Sequence, residues 1–227
     1  MTSRREGRRR GRWRTISAIW GICSLLASGV VVWTVLRQPA WYAPTPIDES
    51  RLRTDKSELS GLLDDIGAAL NGGASIDVVL DEGQVNRWIT ARGEIWPEQQ
   101  IEIVGLSDPV IQFLPRDRVR VAAMATRGGV RIVLSAIFRL EATPENLRLH
   151  LESARAGRLP IPRGSLMRSL ERLFTAPEGG GGAVTGETIE LRNQWTWPNG
   201  KRRFRIERLE IAEGQAQMTL QPVRGLP

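Results

Sequence analysis

The chain has 227 residues, 41% of them hydrophobic, and a formal net charge of +7. Residues 1–14 carry +6 of that charge, so the rest of the chain is close to neutral. A basic charge confined to one short tail argues against a nucleic-acid-binding domain, and we expect no nucleic-acid partner.

The first predicted element is a membrane anchor at residues 15–36, a stretch without a charged residue. A helix of this length crosses about 30 Å of hydrocarbon, and a cluster of arginines on one flank keeps that flank in the cytoplasm. We therefore expect a single-pass protein of the cell (inner) membrane with its N-terminus in the cytoplasm and its C-terminal domain outside. The arginines that set this topology are Arg4, Arg5, Arg8, Arg9, Arg10, Arg12 and Arg14. The aromatic residues assigned to the anchor and its interfacial belts are Trp13, Trp20, Trp33, Trp41 and Tyr42.

Two other interpretations of residues 15–36 are a cleaved signal and a buried core helix. A cleaved secretory signal has a shorter apolar core and a small-residue cleavage site, and Val30 to Trp33 offers no such exit. A buried core helix is disfavoured because the stretch is apolar on every face. An uncleaved anchor is the simplest interpretation. The only cysteine, Cys23, lies inside it, which excludes a disulfide framework.

A stalk, a domain and a short tail follow the anchor. Residues 37–49 contain Pro39, Pro44 and Pro46, which predicts a stiff spacer. Residues 50–221 form the predicted domain, and residues 222–227 form a C-terminal tail.

The domain begins with helical patterns. Apolar residues recur at helical spacing between Ser50 and Leu70, and Gly72-Gly73 predicts the end of that helix. Residues 76–80 read as a short strand. Asp81 is a predicted N-cap for a second helix through Arg92, with Val85, Trp88 and Ile89 on its inward face.

From residue 100 the apolar pattern alternates, which predicts strands. Val130 to Ala142 and Leu147 to Leu151 are expected to form a hairpin with the even-numbered face of the first strand in the core. A helix is expected after Pro162, and the chain then returns to strands at 188–197, 202–211 and 215–221, with a bulge between Ile206 and Leu209. The predicted fold is α+β, with one long, curved antiparallel sheet packed on a few amphipathic helices.

The sequence predicts no catalytic, metal or cofactor site. His150 is the only histidine and lies on the polar face of its strand, where a surface role is favoured over a general base. The adjacent carboxylates of Asp81 and Glu82 are explained by helix capping. We therefore expect the protein not to be an enzyme.

An apolar groove for acyl chains is the one ligand site that several residues of the sequence support. Val133 and Ile137 interrupt the polar face of the longest strand, and Trp195 and Trp197 lie two residues apart. The alternative is that these residues are ordinary core. The tentative groove residues are Trp88, Trp96, Val133, Ile137, Trp195 and Trp197.

Two motifs resemble a known family. Leu80 to Ile89 (LDEGQVNRWI) ends a strand and opens a helix with an acidic pair and an Asn, and Ala156 to Pro162 (AGRLPIP) precedes a later amphipathic helix. This order is similar to the YpmS family of anchored bacterial proteins and, more loosely, to tubular lipid-binding-type domains. The resemblance implies a curved sheet wrapped on a helix, an elongated apolar groove and no catalytic residues. The glycine run at 179–182 and the arginine-rich tail depart from it.

Two function classes follow. The first is a non-catalytic, membrane-anchored domain that binds lipid or another apolar ligand near the membrane. The second is a structural or adaptor module that recruits a protein partner in the cell envelope. Lipid binding predicts a continuous apolar cavity along the sheet, whereas an adaptor that recruits its partner through a sheet edge or the basic hairpin predicts a filled core and an exposed apolar or edge patch.

Overall fold

A computed structural model describes residues 23–95, 106–174, 182–197 and 202–223. It contains helices and two antiparallel sheets, so the α+β class is confirmed. The helices are α1 (residues 23–36), α2 (Leu52–Asn71), α3 (Glu82–Thr90), α4 (Arg92–Ile95) and α5 (Arg163–Phe174). The strands are β1 (Ile76–Asp81), β2 (Leu106–Leu114), β3 (Arg118–Arg127), β4 (Val130–Ala142), β5 (Asn146–Ala156), β6 (Leu159–Pro160), β7 (Ala183–Thr185), β8 (Thr188–Arg192), β9 (Trp195–Thr196), β10 (Arg203–Ala212) and β11 (Gln215–Val223).

Helix α1 covers the second part of the predicted anchor. Its side chains are mostly exposed, as at Leu25, Val30 and Trp33. Within the described ranges, no helix has both the length and the apolar character needed to cross a membrane. Residues 15–22 of the predicted anchor and the arginine tail lie outside the described residues.

The larger sheet has seven strands in the order β2-β3-β4-β5-β8-β7, with β6 paired to β5. The predicted hairpin is confirmed, because β4 pairs with β5 from Leu134–Ala156 to Ala142–Leu147. Its register shifts between Ile137 and Phe138, so the strand pair is bent at this point. We call the face that carries Phe138 and Leu151 the inner face and the opposite one the outer face.

A second, four-stranded sheet has the order β1-β11-β10-β9, so the prediction of one sheet is wrong. The stretch predicted as a single strand at 188–197 is divided at Asn193, with β8 in the larger sheet and β9 in the smaller. Asn193 is 2% exposed, and its side chain bonds to Thr143 and Ile206. The chain changes sheets here because Asn193 satisfies backbone groups of both. The predicted bulge in β10 is confirmed by a register shift between Ile206 and Arg208.

The core lies between the inner face, the smaller sheet and the helices. Helix α5 packs Met167 against Phe138 and Leu151 of the larger sheet. Leu59 of α2 contacts Trp88 of α3, and both lie on the apolar faces that the helical spacing predicted. Each fully buried side chain of this size stabilises the fold by about 1.5–3 kcal/mol, less in a compact unfolded state. The two sheets meet at a cluster of Phe113, Ile211 and Ala216.

Candidate functional site

The C-terminal end of α1 is docked on the turn between β5 and β6. The backbone N–H of Arg158 donates to the carbonyl oxygen of Thr34 (3.2 Å), which satisfies one of the helix's last carbonyls. Gly157 is buried with φ +56°, and a Cβ there would overlap the carbonyl oxygen of Val35 and lie 2.9 Å from that of Thr34. Only glycine allows this approach. We call Thr34, Val35, Gly157 and Arg158 the helix dock.

Residues 39–42 then fold onto the outer face of the larger sheet. Tyr42 is 2% exposed and packs with Val110, Ala122, Met124 and Val133. This contradicts the assignment of Tyr42 to an interfacial belt, because a buried ring has no surface to offer to headgroups. The predicted stalk is also wrong at this point, since the chain here is part of the domain.

Trp41 lies beside Tyr42 and closes the same cluster. Its ring is T-shaped to that of Tyr42, with 6.0 Å between centroids, and the guanidinium of Arg120 lies 4.4 Å from the centroid of Trp41. Burial lowers the pKa of Arg120, and the neighbouring charges of Arg155 and Arg118 lower it further. The cation–π contact therefore holds a partly desolvated positive charge over the indole.

Tyr42 gives a prediction for alkaline pH. Its hydroxyl donates to the carbonyl oxygen of Asp108 (2.6 Å), and burial followed by the charge of Asp108 raises its pKa from 10.0 to about 12. Between these values the unfolded phenol ionises first, so the folded state loses stability as pH rises. Tyr42 is the only tyrosine, so phenolate absorbance reports it alone. We expect the Tyr42 phenol of the folded protein to titrate with a midpoint near pH 12. In a Tyr42→Phe variant, the free energy of unfolding should not show the decrease between pH 10 and 12 that ionisation of this phenol causes. A midpoint near 10 in the folded protein would contradict this.

The outer face beyond Trp41 is a ladder of charges. Arg118 and Arg139 both approach Glu152 (3.8 and 4.0 Å), and Arg148 is bonded to Glu190 (3.0 Å). These side chains are between one-third and three-fifths exposed, so each pair contributes little to stability. Together they form an accessible charged surface, which we call the charged face. It is defined by Arg118, Arg139, Glu141, Arg148, His150, Glu152 and Glu190.

His150 lies in this face beside a cleft of about 620 Å³. Its Nδ1 is 2.9 Å from the Oγ1 of Thr188, and its Nε2 is 3.4 Å from Glu141. His150 pairs directly with Thr188 of β8, and Glu141, which pairs with Arg148, is its diagonal neighbour on β4. The alternating pattern predicted the polar position of His150, whereas the contact with Thr188 required the strand order. Within the described chain no group of three or more His, Cys, Asp or Glu side chains is placed to hold a metal ion.

The six tentative groove residues do not share one site. Val133 is 3% exposed under Tyr42, and Trp88 is 7% exposed against Leu59. Ile137 is half-buried on the outer face and pairs with Arg120 and Ser153.

Trp195 and Trp197 are the pair that the structure does bring together. Both stack near Phe204, with centroids 6.0 and 5.9 Å away, and Trp197 packs against the cluster of Ile66 and Leu70. Trp96 lies outside the described residues. Val133, Trp88 and Trp197 therefore belong to three different core clusters, and no single groove joins the described members of the set.

The motif at Leu80 to Ile89 attaches α3 to β2. Asp81 is the predicted N-cap and accepts from the N–H of Gln84 (3.0 Å). Glu82 accepts from the N–H of Phe113 (2.7 Å). Asn86, 7% exposed, accepts from the N–H of Ile111 (2.8 Å) and donates to its carbonyl oxygen (2.7 Å). The acidic residues and the Asn of this motif are therefore occupied by backbone groups.

A second cleft, of about 490 Å³, lies beside Asn193. Its lining includes the charged side chains of Glu145, Glu190, Arg192 and Arg205. Arg205 is held by the side-chain oxygen of Gln221 (2.9 Å from Nε). Both clefts are lined by charged groups, which suits a polar or charged partner better than an acyl chain.

No protein-family model matches the chain, and no curated protein or solved structure matches it either. Assignment of a function therefore depends on the residues and contacts described above. The resemblance to the YpmS family stays a prediction from the two motifs that carry it.

Proposed function

We propose that this chain is a non-catalytic, single-pass adaptor of a bacterial cell envelope. Residues 15–36 cross the inner membrane, the arginine tail lies in the cytoplasm, and the α+β domain stands outside and presents its charged face to a protein partner. The observation that carries this proposal is the helix dock, because it gives the domain one orientation relative to the end of α1. A fixed orientation is of use to a protein that positions a partner at a set height above the membrane.

The length of β4 indicates how far the charged face lies from the helix dock. β4 has 13 residues, which at about 3.3 Å per residue corresponds to roughly 40 Å from Val130 to Ala142. Arg139 and Glu141 are close to the end of β4 that is remote from the dock. Because the dock is bonded to β4 at Val133, Arg139 and Glu141 would stand roughly 20–26 Å from it, where another envelope domain could reach them.

Lipid binding in an apolar groove, with membrane lipid as the ligand, stays a prediction from the sequence. We place it second because Val133 and Trp88 fill separate core clusters, and because the charged lining of the two clefts is poorly suited to acyl chains. Membership of a YpmS-like family is compatible with either function and is proposed on its motifs alone.

The test uses a photo-cross-linking amino acid in place of Arg139 in the full chain, in the cells that make it. A control carries the cross-linker in place of Val79, a 46%-exposed residue of β1. We expect one discrete protein adduct from position 139 and none from position 79. Arg118→Glu, beside Arg139 in the sheet, should reduce the adduct, because it reverses a charge on the docking surface.

A matched variant is Arg208→Glu, which reverses a more exposed charge on the smaller sheet (70% against 34% for Arg118) and should leave the adduct unchanged. Adducts of equal yield from both positions, or none from either, would contradict the adaptor function. An adduct of lipid mass from position 139 would favour the lipid-binding alternative.

A further inference from the structure

The end of the larger sheet that carries the helix dock combines positive charge with exposed apolar side chains. Arg155 and Arg158 flank the buried Gly157 and are exposed. Arg131 at the start of β4 is 64% exposed, and its nearest carboxylate is that of Asp108, 3.5 Å away. Arg37, just beyond α1, stacks on Trp33 at 4.9 Å. Among the described residues, four guanidinium groups therefore stand at this end of the sheet, and that of Arg131 is paired with Asp108.

Apolar side chains accompany these arginines. Leu159 follows Arg158 and is 36% exposed, Val130 precedes Arg131 and is 44% exposed, and Leu36 ends α1 at 48% exposed. Exposed aliphatic groups beside arginines form the pattern of surfaces that settle at a membrane interface. There the apolar groups enter the acyl boundary and the guanidinium groups remain among the headgroups.

The position of this surface relative to α1 indicates which layer of a membrane would lie against it. The dock joins residues 157–158 to Thr34 and Val35, and Gly157 also donates to the carbonyl oxygen of Val133 in β4 (2.7 Å). The ends of β4 and β5 therefore lie at the level of the C-terminal end of α1. If α1 is the outer end of a membrane span, that level is the headgroup layer.

We propose that this end of the larger sheet is a membrane-contact surface that binds anionic lipid headgroups of the outer leaflet through Arg131, Arg155 and Arg158. The inference rests on the proposed anchoring of residues 15–36. Each arginine near an anionic surface adds electrostatic attraction, so three of them stabilise one tilt of the domain against rotation about its anchor.

The experiment uses the full chain with Cys23→Ser and one new cysteine, either Leu159→Cys or, as control, Val79→Cys. Val79 belongs to the smaller sheet, which meets the larger one at Phe113, near the end remote from the dock. A nitroxide label is attached, and the protein is reconstituted in phosphatidylcholine vesicles with or without phosphatidylglycerol. Power-saturation measurements compare collisions with oxygen, which concentrates in the bilayer, and with a nickel chelate, which stays in water.

We expect the label at position 159 to favour oxygen and the label at position 79 to favour the nickel chelate. The double variant Arg155→Gln and Arg158→Gln should move label 159 toward water in vesicles that contain phosphatidylglycerol. The matched double variant Arg139→Gln and Arg148→Gln, on the charged face, should not.

Different results overturn different parts of the proposal. If an alkaline carbonate wash releases the chain from the vesicles, the anchoring is wrong and the surface proposal fails with it. If the chain stays embedded but label 159 is as accessible to nickel as label 79, the anchoring stands and the contact surface is wrong. Contact of label 159 that does not depend on phosphatidylglycerol or on the arginines would overturn the role of anionic headgroups.

Discussion

Gly157→Ala is expected to release α1 from the domain. The new Cβ would overlap the carbonyl oxygen of Val35, and a φ of +56° costs a residue with a side chain about 1–2 kcal/mol. The turn and the helix end must then separate, which breaks the hydrogen bond from Arg158 to Thr34. We expect the amide of Arg158 to exchange with solvent at least about tenfold faster, which corresponds to roughly 1.4 kcal/mol of lost local stability.

Gly186→Ala is the matched control for this prediction. Gly186 lies in the turn between β7 and β8 with φ +62°, and a Cβ there would meet nothing within 4 Å. It carries the same conformational cost without the overlap. Hydrogen exchange followed by mass spectrometry on the full chain compares the two variants. Equal exchange at Arg158 in both would mean that α1 does not depend on the contact at Gly157.

Asn193→Leu is expected to have the largest effect on stability. The amide of Asn193 accepts from the N–H of Ile206 (2.9 Å) and donates to the carbonyl oxygens of Thr143 (2.5 Å) and Ile206 (2.7 Å). Leucine keeps the approximate volume but removes the partner of three part-buried backbone groups. An unsatisfied group costs about 1–3 kcal/mol when buried, and because these three are only part-buried we expect the lower half of the summed range, a fall of about 3–5 kcal/mol in the free energy of unfolding.

Asn146→Leu makes the same chemical change near the other side of the turn. The bonds that Asn146 forms with Thr143 use its backbone N–H and carbonyl, and leucine retains both. We expect a loss below about 1 kcal/mol, measured by urea unfolding of the full chain in detergent. Similar losses in the two variants would show that the side chain of Asn193 does not connect the sheets.

Local chemistry made much of the fold predictable. The helical spacing of Leu59, Ile66 and Leu70 predicted α2, and these residues are buried in the structure. Asp81 predicted the start of α3 because a carboxylate before an amphipathic run satisfies free N–H groups. The turn at Thr143 to Asn146 predicted the β4–β5 hairpin, and the slip in the alternating pattern predicted the bulge in β10.

Long-range contacts were not predictable in the same way. Val133 lies on a face that reads as polar, and it is buried only because Tyr42 folds back across it from 91 positions earlier in the chain. Asn193 resembles an ordinary turn residue, yet its partners come from another hairpin and another sheet. The only part of the helix dock that the sequence motifs include is the turn of Ala156 to Pro162, with its glycine. Nothing in that motif indicates that a helix end packs against the glycine.

The side chains of Glu82 and Asn86 have a consequence for crowded membranes. They take up the outward-facing backbone groups of Ile111 and Phe113 in β2, the first strand of the larger sheet. Proteins that diffuse in one plane meet side by side far more often than proteins in solution, and an open strand in that position pairs readily with a neighbour's sheet. If residues 15–36 anchor the chain as proposed, two copies that collide in the membrane would find no continuous ladder along β2, because these groups are occupied, and α3 would also protect the protein from aggregation.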